Sequence, residues 1–380
     1  ISVGDASVIE NYNAEHGTSY VALSPENVSV NDGGLVVVFE GESKSDPIEV
    51  TITTDESMSQ NVTYAFPLQV TSTTTGVHSG ADHIVFVKNC KGKKFASSAK
   101  PSGIKLFSCM ETGSTNPLFH KSFMLEKSGL PLFDVVILFS AKIVYDEEEC
   151  RLKIWNTPAI AGIIQSDVVK QLHDYGMKVI ISVLGSDEAG VAHLTDAACR
   201  TFAQEIANYC EAYDLDGVFF DDEYTHSWNH PGLTSPSTDR AARLCYETKM
   251  AMPDKMVTCY IYSRTYGFYK KIEGMEPGDF VDYAISDYGS WDYEHYYLGM
   301  ERNQVSPCSA NFASSYARWT ATQNNLQRVR NEGFGGFMVY CLTFHVADVW
   351  NREMESLRNI AQYLYDDNLV FTGEKPETTW

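Results

Sequence analysis

The sequence predicts a (β/α)8 TIM barrel, an α/β fold, preceded by a small all-β sandwich domain. Residues 1–78 contain eleven acidic residues, a single basic residue (Lys44) and no cysteine, whereas all nine cysteines lie in the rest of the chain. This abrupt change in composition indicates a domain boundary. From about residue 103, strand-length apolar runs alternate with amphipathic helical patterns, which favours a closed barrel over an open sheet. We therefore divide the chain into domains 1–78 and 79–380, with the polar stretch 71–80 as the linker.

The first domain is predicted to be built from short β-strands. Four β-branched runs occur at 28–30, 34–39, 48–53 and 64–70, and clusters of turn-forming residues separate them. No segment of useful length shows helical periodicity. The pattern is typical of a small antiparallel sandwich, and nothing in it indicates catalysis.

The second domain is predicted to contain the eight barrel strands. Helix signals lie between the strands; Thr195, for example, is placed to cap a helix that carries Phe202, Ile206 and Cys210 on one stripe. In a TIM barrel the active site lies at the carboxyl-terminal ends of the strands, so the residues found there are the functional candidates. The strands are expected at 104–110, 134–140, 178–184, 215–221, 256–262, 280–288, 304–308 and 335–342.

Charge and composition argue against several classes of partner. A net charge of −21 leaves no surplus of Lys and Arg to neutralise phosphates, which argues against nucleic acid and an anionic membrane surface. The one basic cluster, 88–94, predicts a solvated loop. No run is apolar and long enough to span a membrane. Because the first residue is Ile1 and not Met, we expect a processed or trimmed chain.

The sequence predicts neither a metal site nor a cofactor. The nine cysteines show no C-x-x-C spacing, and the ten histidines are scattered without the spacing of metal ligands. No glycine-rich phosphate loop follows a predicted strand. Cysteines in apolar contexts are expected to be buried free thiols, and the protein is expected to be a monomer.

The most informative stretch, 214–224, is an apolar strand that ends in three consecutive acids. Because side chains alternate along a strand, Asp221 and Glu223 are expected to face one side and Asp222 the other. Acids crowded at the end of a buried strand are unfavourable unless they perform chemistry. A solvated acidic loop is the alternative interpretation, but the preceding Asp216-Gly217 pair and the apolar strand favour catalysis.

This stretch resembles the D-G-x-D-x-D-x-E motif of glycoside hydrolase family 18. The motif runs from Asp216 to Glu223, with Phe219 where the family usually has its middle Asp. The strand ends at 182–186 and 286–289 are similar to the same family. The surroundings of Asp222 and Tyr224 look more like the endo-β-N-acetylglucosaminidases than the chitinases. The N-terminal domain resembles a small β-sandwich found before such barrels in Bacteroidetes proteins.

The resemblance implies substrate-assisted, retaining cleavage of the β-1,4 bond in the N,N′-diacetylchitobiose core of N-glycans, in which the substrate's own acetamido oxygen attacks the anomeric carbon. It assigns Glu223 as general acid and base, and Asp221 as the residue that orients the acetamido group and stabilises the oxazolinium ion. Crowding of these carboxylates should raise one pKa. The resemblance places Tyr288 on the acetamido oxygen, and Asp216 is part of the motif. Tyr340, near the end of the eighth predicted strand, and Glu111, after the first, are further candidates for substrate binding because of their positions.

Alternatives remain open at this point. A chitinase acting on N-acetylglucosamine polymers would use the same pair of acids, and a glycan-binding protein could have lost turnover through Phe219. Tyr340 could instead be a core tyrosine. Aromatic residues in two loops, Trp228 beside His226 and the cluster 291–297, could stack on sugars or pack internally. The resemblance also implies a secreted or cell-envelope protein, without indicating whether high-mannose or complex glycans are preferred.

Overall fold

The computed structural model of the protein describes residues 1–16, 18–53, 58, 62–75, 77, 83–88, 98–288, 291, 297–313, 321–342 and 347–377. The chain divides into two compact units, Ile1–Lys93 and Lys94–Trp380. The first unit extends beyond residue 78, the boundary expected from the sequence, because the strand His83–Lys88 pairs with the strand Thr63–Gln69. Most of the predicted basic cluster, 89–94, and part of the predicted linker lie outside the described residues.

The described residues of the first unit form two small sheets. Its strands are β1 (Ser2–Val3), β2 (Val21–Ala22), β3 (Val28–Val30), β4 (Val50–Ile52), β5 (Thr63–Gln69) and β6 (His83–Lys88). In the larger sheet β5 pairs with β1 and β6 antiparallel and with β2 parallel, and β3 pairs with β4 in the smaller one. Short 3-10 helices lie at Pro25–Asn27 and Asn31–Gly34. A cluster of buried residues lies in this unit, made of Leu23, Val28, Met58 and Phe66.

Three details of this unit differ from the sequence-based expectation. The larger sheet is not purely antiparallel, because β2 pairs with β5 in parallel. Helix α1 (Ser7–His16) was not foreseen, because Ile9 is its one buried residue and the segment therefore lacks an apolar stripe. The apolar run 34–39 was expected to be a strand, but within the described residues it pairs with no other strand. Leu35 is 75% exposed there, so the run does not contribute to the core.

The second unit is a barrel of parallel strands, which confirms the predicted fold class. Each strand pairs with the next in chain order, and the last returns to the first. The barrel strands are β7 (Lys105–Glu111), β9 (Val135–Asp146), β11 (Lys178–Leu184), β12 (Gly217–Asp221), β13 (Met256–Ile261), β14 (Tyr283–Ser286), β15 (Val305–Ser306) with β16 (Ser309–Asn311), and β17 (Gly336–Tyr340).

The seventh barrel strand, expected to be continuous, is divided. β15 pairs with β14 and β16 pairs with β17, with Pro307 between them. Proline has no N–H to donate to a ladder, which accounts for the interruption. A single bridge between Tyr288 and Ser309 links the sixth and seventh positions and nearly closes the barrel.

Helices and smaller strands surround the barrel. β8 (Phe123–Leu125) pairs with β18 (Leu369–Phe371), and β10 (Arg151–Trp155) extends β9 as a hairpin. Thr195 caps its helix as predicted, accepting a hydrogen bond from the Ala198 N–H. The helices are α2 (Pro158–Gln165), α3 (Val168–Asp174), α4 (Asp196–Ala212), α5 (Thr238–Ala251), α6 (Pro277–Phe280), α7 (Gln323–Asn331) and α8 (Ala347–Tyr365), with 3-10 turns at Pro117–Ser122, Ser263–Thr265 and Arg302–Gln304. In the part of the chain that the structure describes, no helix is both long and apolar enough to cross a membrane.

Alternation along β12 places its side chains in two different layers. Phe220 packs in the outer core between the strands and the helices, whereas Phe219 packs in the barrel interior with Ile180, Tyr260 and Met338. Asp221 lies two residues beyond Phe219, on the same inward face. The apolar interior therefore ends in a carboxyl group at the mouth of the barrel.

Candidate active site

A cavity of about 420 Å³ opens at the carboxyl-terminal ends of the barrel strands. Acids and tyrosines from the first, fourth, fifth, sixth and eighth strand ends converge on it. None of the described residues that line it is a lysine, an arginine or a histidine, so the charge of its wall is negative. These residues are Cys109, Glu111, Phe139, Phe219, Asp221, Glu223, Tyr224, Tyr260, Tyr262, Asp287, Tyr288, Met338 and Tyr340.

Asp221 ends β12 and is almost completely buried, with 4% of its surface exposed. Its Oδ1 atom has no hydrogen-bond partner within the described part of the chain. Burial, followed by the charges of Glu223, Asp222 and Asp287, raises the pKa of its carboxyl group well above the usual value. A buried oxygen without a partner is suited to accept a hydrogen bond from a ligand.

Glu223 lies on the same side as Asp221, as the alternation predicted, and is half-buried in the cavity wall. Burial is the main cause that raises the pKa of its carboxyl group. The Tyr224 side chain hydrogen-bonds this carboxyl and opposes the rise, while the charges of Asp287 and Asp222 add to it. Asp222 is buried and does not line the cavity; its Oδ2 accepts a hydrogen bond from the Arg264 N–H at 3.1 Å.

Tyr288 and Tyr260 form the wall beside the two acids. Their ring centroids are 6.2 Å apart, and burial raises the pKa of each hydroxyl above its usual value. Both hydroxyls therefore stay protonated at neutral pH and can donate hydrogen bonds. Asp287 accepts one such bond from the Tyr260 hydroxyl and another from the Tyr288 N–H at 2.6 Å.

Tyr340 and Glu111 form a hydrogen-bonded pair in the cavity wall, with Tyr340 next to Tyr288. The Tyr340 hydroxyl donates to Glu111 Oε1. Burial and the neighbouring Glu111 raise the pKa of the Tyr340 hydroxyl. The Tyr340 ring lies 5.6 Å from Tyr288 and 6.1 Å from Phe139, between centroids. Both candidates from the first and eighth strands thus lie in the cavity.

Asp216, the remaining candidate for substrate binding, is not part of this cavity. It precedes β12 at the amino-terminal end of the barrel, so the full length of the strand separates it from Asp221. Its carboxylate accepts hydrogen bonds from His173 Nε2 at 2.7 Å, Lys178 Nζ at 2.7 Å and the Val179 N–H at 2.8 Å. Burial alone would raise its pKa, but these three donors together lower it. The substrate-binding expectation is therefore corrected: Asp216 ties β12 to α3 and β11.

The aromatic candidates in the loops do not line the cavity either. The Trp228 ring lies 5.3 Å from the His193 ring, between centroids, and neither Trp228 nor His226 reaches the wall. Tyr297 is buried and packs on Phe268, which supports internal packing over sugar stacking. Trp291 packs against the Arg328 guanidinium, 4.4 Å from the ring centroid. Tyr293 and Tyr296 lie outside the described residues.

The wall residues that the sequence does not predict as site residues include Tyr260, Tyr262 and Asp287. The first two have a visible signal, since Tyr260 occupies an inward position of β13 and Tyr262 follows at the same spacing. Asp287 directly follows β14, where polar residues of a barrel are functional candidates. Its bond to Tyr260 joins residues 27 positions apart, which no local pattern reveals.

A TIM barrel with neighbouring carboxyl groups of raised pKa, set among tyrosines at its carboxyl-terminal end, has the construction of a glycoside hydrolase. Comparison with known proteins narrows the class. The chain is 38% identical over 322 residues to endo-β-N-acetylglucosaminidase F1 of Elizabethkingia meningoseptica, which covers 83% of this chain and 94% of that protein. An endo-β-N-acetylglucosaminidase of a Flavobacterium strain is 26% identical over 219 residues, 57% of this chain and 68% of that protein.

Comparison with solved structures leads to the same class of enzyme as comparison with these relatives. EndoBT-3987 of Bacteroides thetaiotaomicron, with a Man5GlcNAc product, superposes with a TM-score of 0.67 at 30% identity and covers 98% of this chain and 89% of that one. A family model described as an N-terminal domain matches residues 1–77. This chain belongs to the endo-β-N-acetylglucosaminidases of glycoside hydrolase family 18, which confirms the resemblance seen in the sequence.

Proposed function

We propose that this protein cleaves the β-1,4 bond between the two core N-acetylglucosamines of N-glycans, with the substrate's acetamido group as the nucleophile. The observation that carries the proposal is the presence of Asp221, Glu223 and Tyr288 around one cavity at the mouth of the barrel. EndoBT-3987, 28% identical to this chain with a TM-score of 0.68, has been solved with a Man9GlcNAc2Asn substrate. That likeness supports an N-glycan as the substrate here.

Glu223 is the proposed general acid and base. In the first step the acetamido oxygen attacks C1 of the sugar, the C1–O bond to the second N-acetylglucosamine breaks, and the departing oxygen takes the proton of Glu223. In the second step water attacks C1, gives a proton to Glu223 and releases the acetamido oxygen. The raised pKa of Glu223 favours the protonated form that the first step needs.

Asp221 is proposed to hold the acetamido group. Its buried Oδ1, which lacks a partner within the described residues, is available to accept a hydrogen bond from the acetamido N–H. When the oxazolinium ion forms, its positive charge favours the ionised form of the adjacent carboxyl, so Asp221 supplies a counter-charge at the moment it is needed. The Tyr288 hydroxyl, kept protonated by burial, donates to the acetamido oxygen from the other side.

A test of this proposal is mass spectrometry of a high-mannose glycoprotein after incubation with the wild type, Glu223→Gln and Glu188→Gln. Glu188 follows the third strand, has an exposed side chain and does not line the cavity, so it is a matched control for the chemical change. We expect the wild type and Glu188→Gln to leave a single N-acetylglucosamine on each asparagine and Glu223→Gln to leave the glycan intact. Cleavage of chitin oligomers but not of the glycoprotein would contradict the proposed substrate.

We also propose that the protein acts outside the cytoplasm, in the cell envelope or as a secreted enzyme. The support is the resemblance of the N-terminal domain to those found in Bacteroidetes proteins, together with the occurrence of N-glycans mainly on secreted and cell-surface glycoproteins. Immunodetection in fractions of the producing cell tests this location, and a signal confined to the cytosolic fraction would contradict it.

A further inference from the structure

Asp287 is a carboxyl group of the cavity wall in addition to Asp221, Glu223 and Glu111, and two donors hold it. It directly follows β14 and is half-buried. One oxygen, Oδ1, accepts hydrogen bonds from the Tyr260 hydroxyl on β13 and from the N–H of Tyr288. Two donors on one oxygen fix the direction of the carboxyl group within the wall.

The surroundings of Asp287 contain acids and hydroxyls. The charge of Asp287 contributes to the raised pKa of both Asp221 and Glu223, although burial is the main cause for each. No described residue of the cavity wall carries a positive charge that would compensate it. The titratable groups that line the cavity together with Asp287 are Asp221, Glu223 and Tyr224 from the fourth strand end, Tyr260 and Tyr262 from the fifth, Tyr288 from the sixth, Tyr340 from the eighth, and Cys109 and Glu111 from the first.

Phe219, the residue beneath Asp221, makes the charge of Asp287 more important for the site. Phe219 occupies the inward position one layer down, is 1% exposed and packs on the Tyr260 ring with 6.2 Å between centroids. The fourth strand therefore offers no acid below Asp221. The additional negative charge beside the two acids is that of Asp287, at the end of the sixth strand. The hydroxyl of Tyr260, on the fifth strand, donates a hydrogen bond to it.

We infer that Asp287 is a positioning residue of the hydrolytic site: anchored by Tyr260 and the Tyr288 backbone, its carboxylate fixes the acetamido-binding wall and helps to keep a proton on Glu223. The inference rests on the proposed function, because it is the pH range of glycan cleavage that Asp287 would set. The Tyr288 backbone bond also links Asp287 to the side chain proposed to hold the acetamido oxygen.

Asp287→Asn tests the inference directly. The amide oxygen can still accept both hydrogen bonds while the charge is lost. Removing a nearby negative charge lowers the pKa of Glu223, so the proton needed for the first step is lost at a lower pH. We expect the basic limb of the kcat/KM profile on a high-mannose glycopeptide to move down by about half to one pH unit, a loss of roughly three- to tenfold on that limb.

Two further variants separate charge from structure. Asp174→Asn removes a charge from the exposed end of α3, paired with Lys170, and should leave the profile unchanged. Tyr260→Phe removes the anchoring hydroxyl but keeps the carboxylate, so we expect a lower kcat without a downward shift of the basic limb. An Asp287→Asn profile that is lowered evenly at all pH values, with both limbs in place, would overturn the electrostatic role.

A measurement without substrate distinguishes failure of this inference from failure of the proposed function. The 13C carboxyl resonance of Glu223, identified by its loss in Glu223→Gln, can be titrated in the wild type and in Asp287→Asn. A lower midpoint in Asp287→Asn, together with the shifted limb, supports the inference, and an unchanged midpoint overturns it whatever the activity. A lower midpoint in a protein that cleaves no glycan overturns the proposed function, and the role of Asp287 in hydrolysis with it.

Discussion

Replacing Phe219 with aspartate would restore the acid that the family motif usually has at this position, and the structure indicates what that change would do. Phe219 is 1% exposed and packs in the barrel interior with Ile180, Tyr260 and Met338. Removing a buried phenyl ring costs about 3–5 kcal/mol of unfolding free energy. A carboxyl group placed there has one evident donor, the hydroxyl of Ser182, which lies in register on β11 and has no partner within the described residues.

We therefore expect Phe219→Asp to lower the unfolding free energy by about 4 kcal/mol, a fall in Tm of roughly 10 °C for a unit of this size. The new acid would also oppose ionisation of Asp221 further, so kcat at neutral pH should not rise. Thermal unfolding and glycopeptide kinetics at several pH values measure both effects. Phe219→Leu is the control, since it keeps an apolar side chain and should cost about 1–2 kcal/mol without changing the pH profile.

Two results would refute this reasoning. A Tm equal to that of the wild type would show that the interior accommodates a carboxyl group at position 219, contrary to the packing described. A gain in kcat of tenfold or more would show that Phe219 reduces the activity of the enzyme, and that Asp287 does not supply the charge that is missing from the fourth strand.

Two further predictions concern acids with opposite pKa shifts. Asp216→Asn should lower the unfolding free energy by about 1–3 kcal/mol at pH 7 with KM unchanged. Because the pKa of Asp216 is lowered in the folded protein, this loss of stability should shrink as the pH falls through the folded pKa. A raised KM would contradict a purely structural role. Asp221→Asn should abolish cleavage yet raise Tm near neutral pH, because an acid whose folded pKa is raised destabilises the fold above its unfolded pKa. That gain in Tm should disappear at a pH below the unfolded pKa. Melting curves across this pH range test the prediction, and a gain that does not depend on pH would contradict it.

The barrel could be predicted from the sequence because its signals are local. Most of the barrel strands are apolar runs of strand length, and Thr195 marks a helix start that the structure contains. The pair Asp221 and Glu223 followed from alternation along one strand. The division of the seventh strand also had a local signal, since Pro307 lies within the segment 304–308 that was expected to be one strand.

The remaining features required three-dimensional information. Helix α1 buries little beyond Ile9, so its sequence lacks the apolar stripe by which helices are recognised. The role of Asp216 depends on its distance from the strand end and on donors from α3 and β11. The bond between Tyr260 and Asp287 joins two strand ends that only the closure of the barrel brings together.

The measurement that tests substrate-assisted cleavage most directly is the anomeric configuration of the first sugar released, followed by 1H NMR before mutarotation. Attack by the acetamido oxygen and then by water inverts C1 twice, so we expect the β-anomer at the new reducing N-acetylglucosamine. Initial release of the α-anomer would mean direct displacement by water, and would contradict the roles proposed for Asp221 and Glu223.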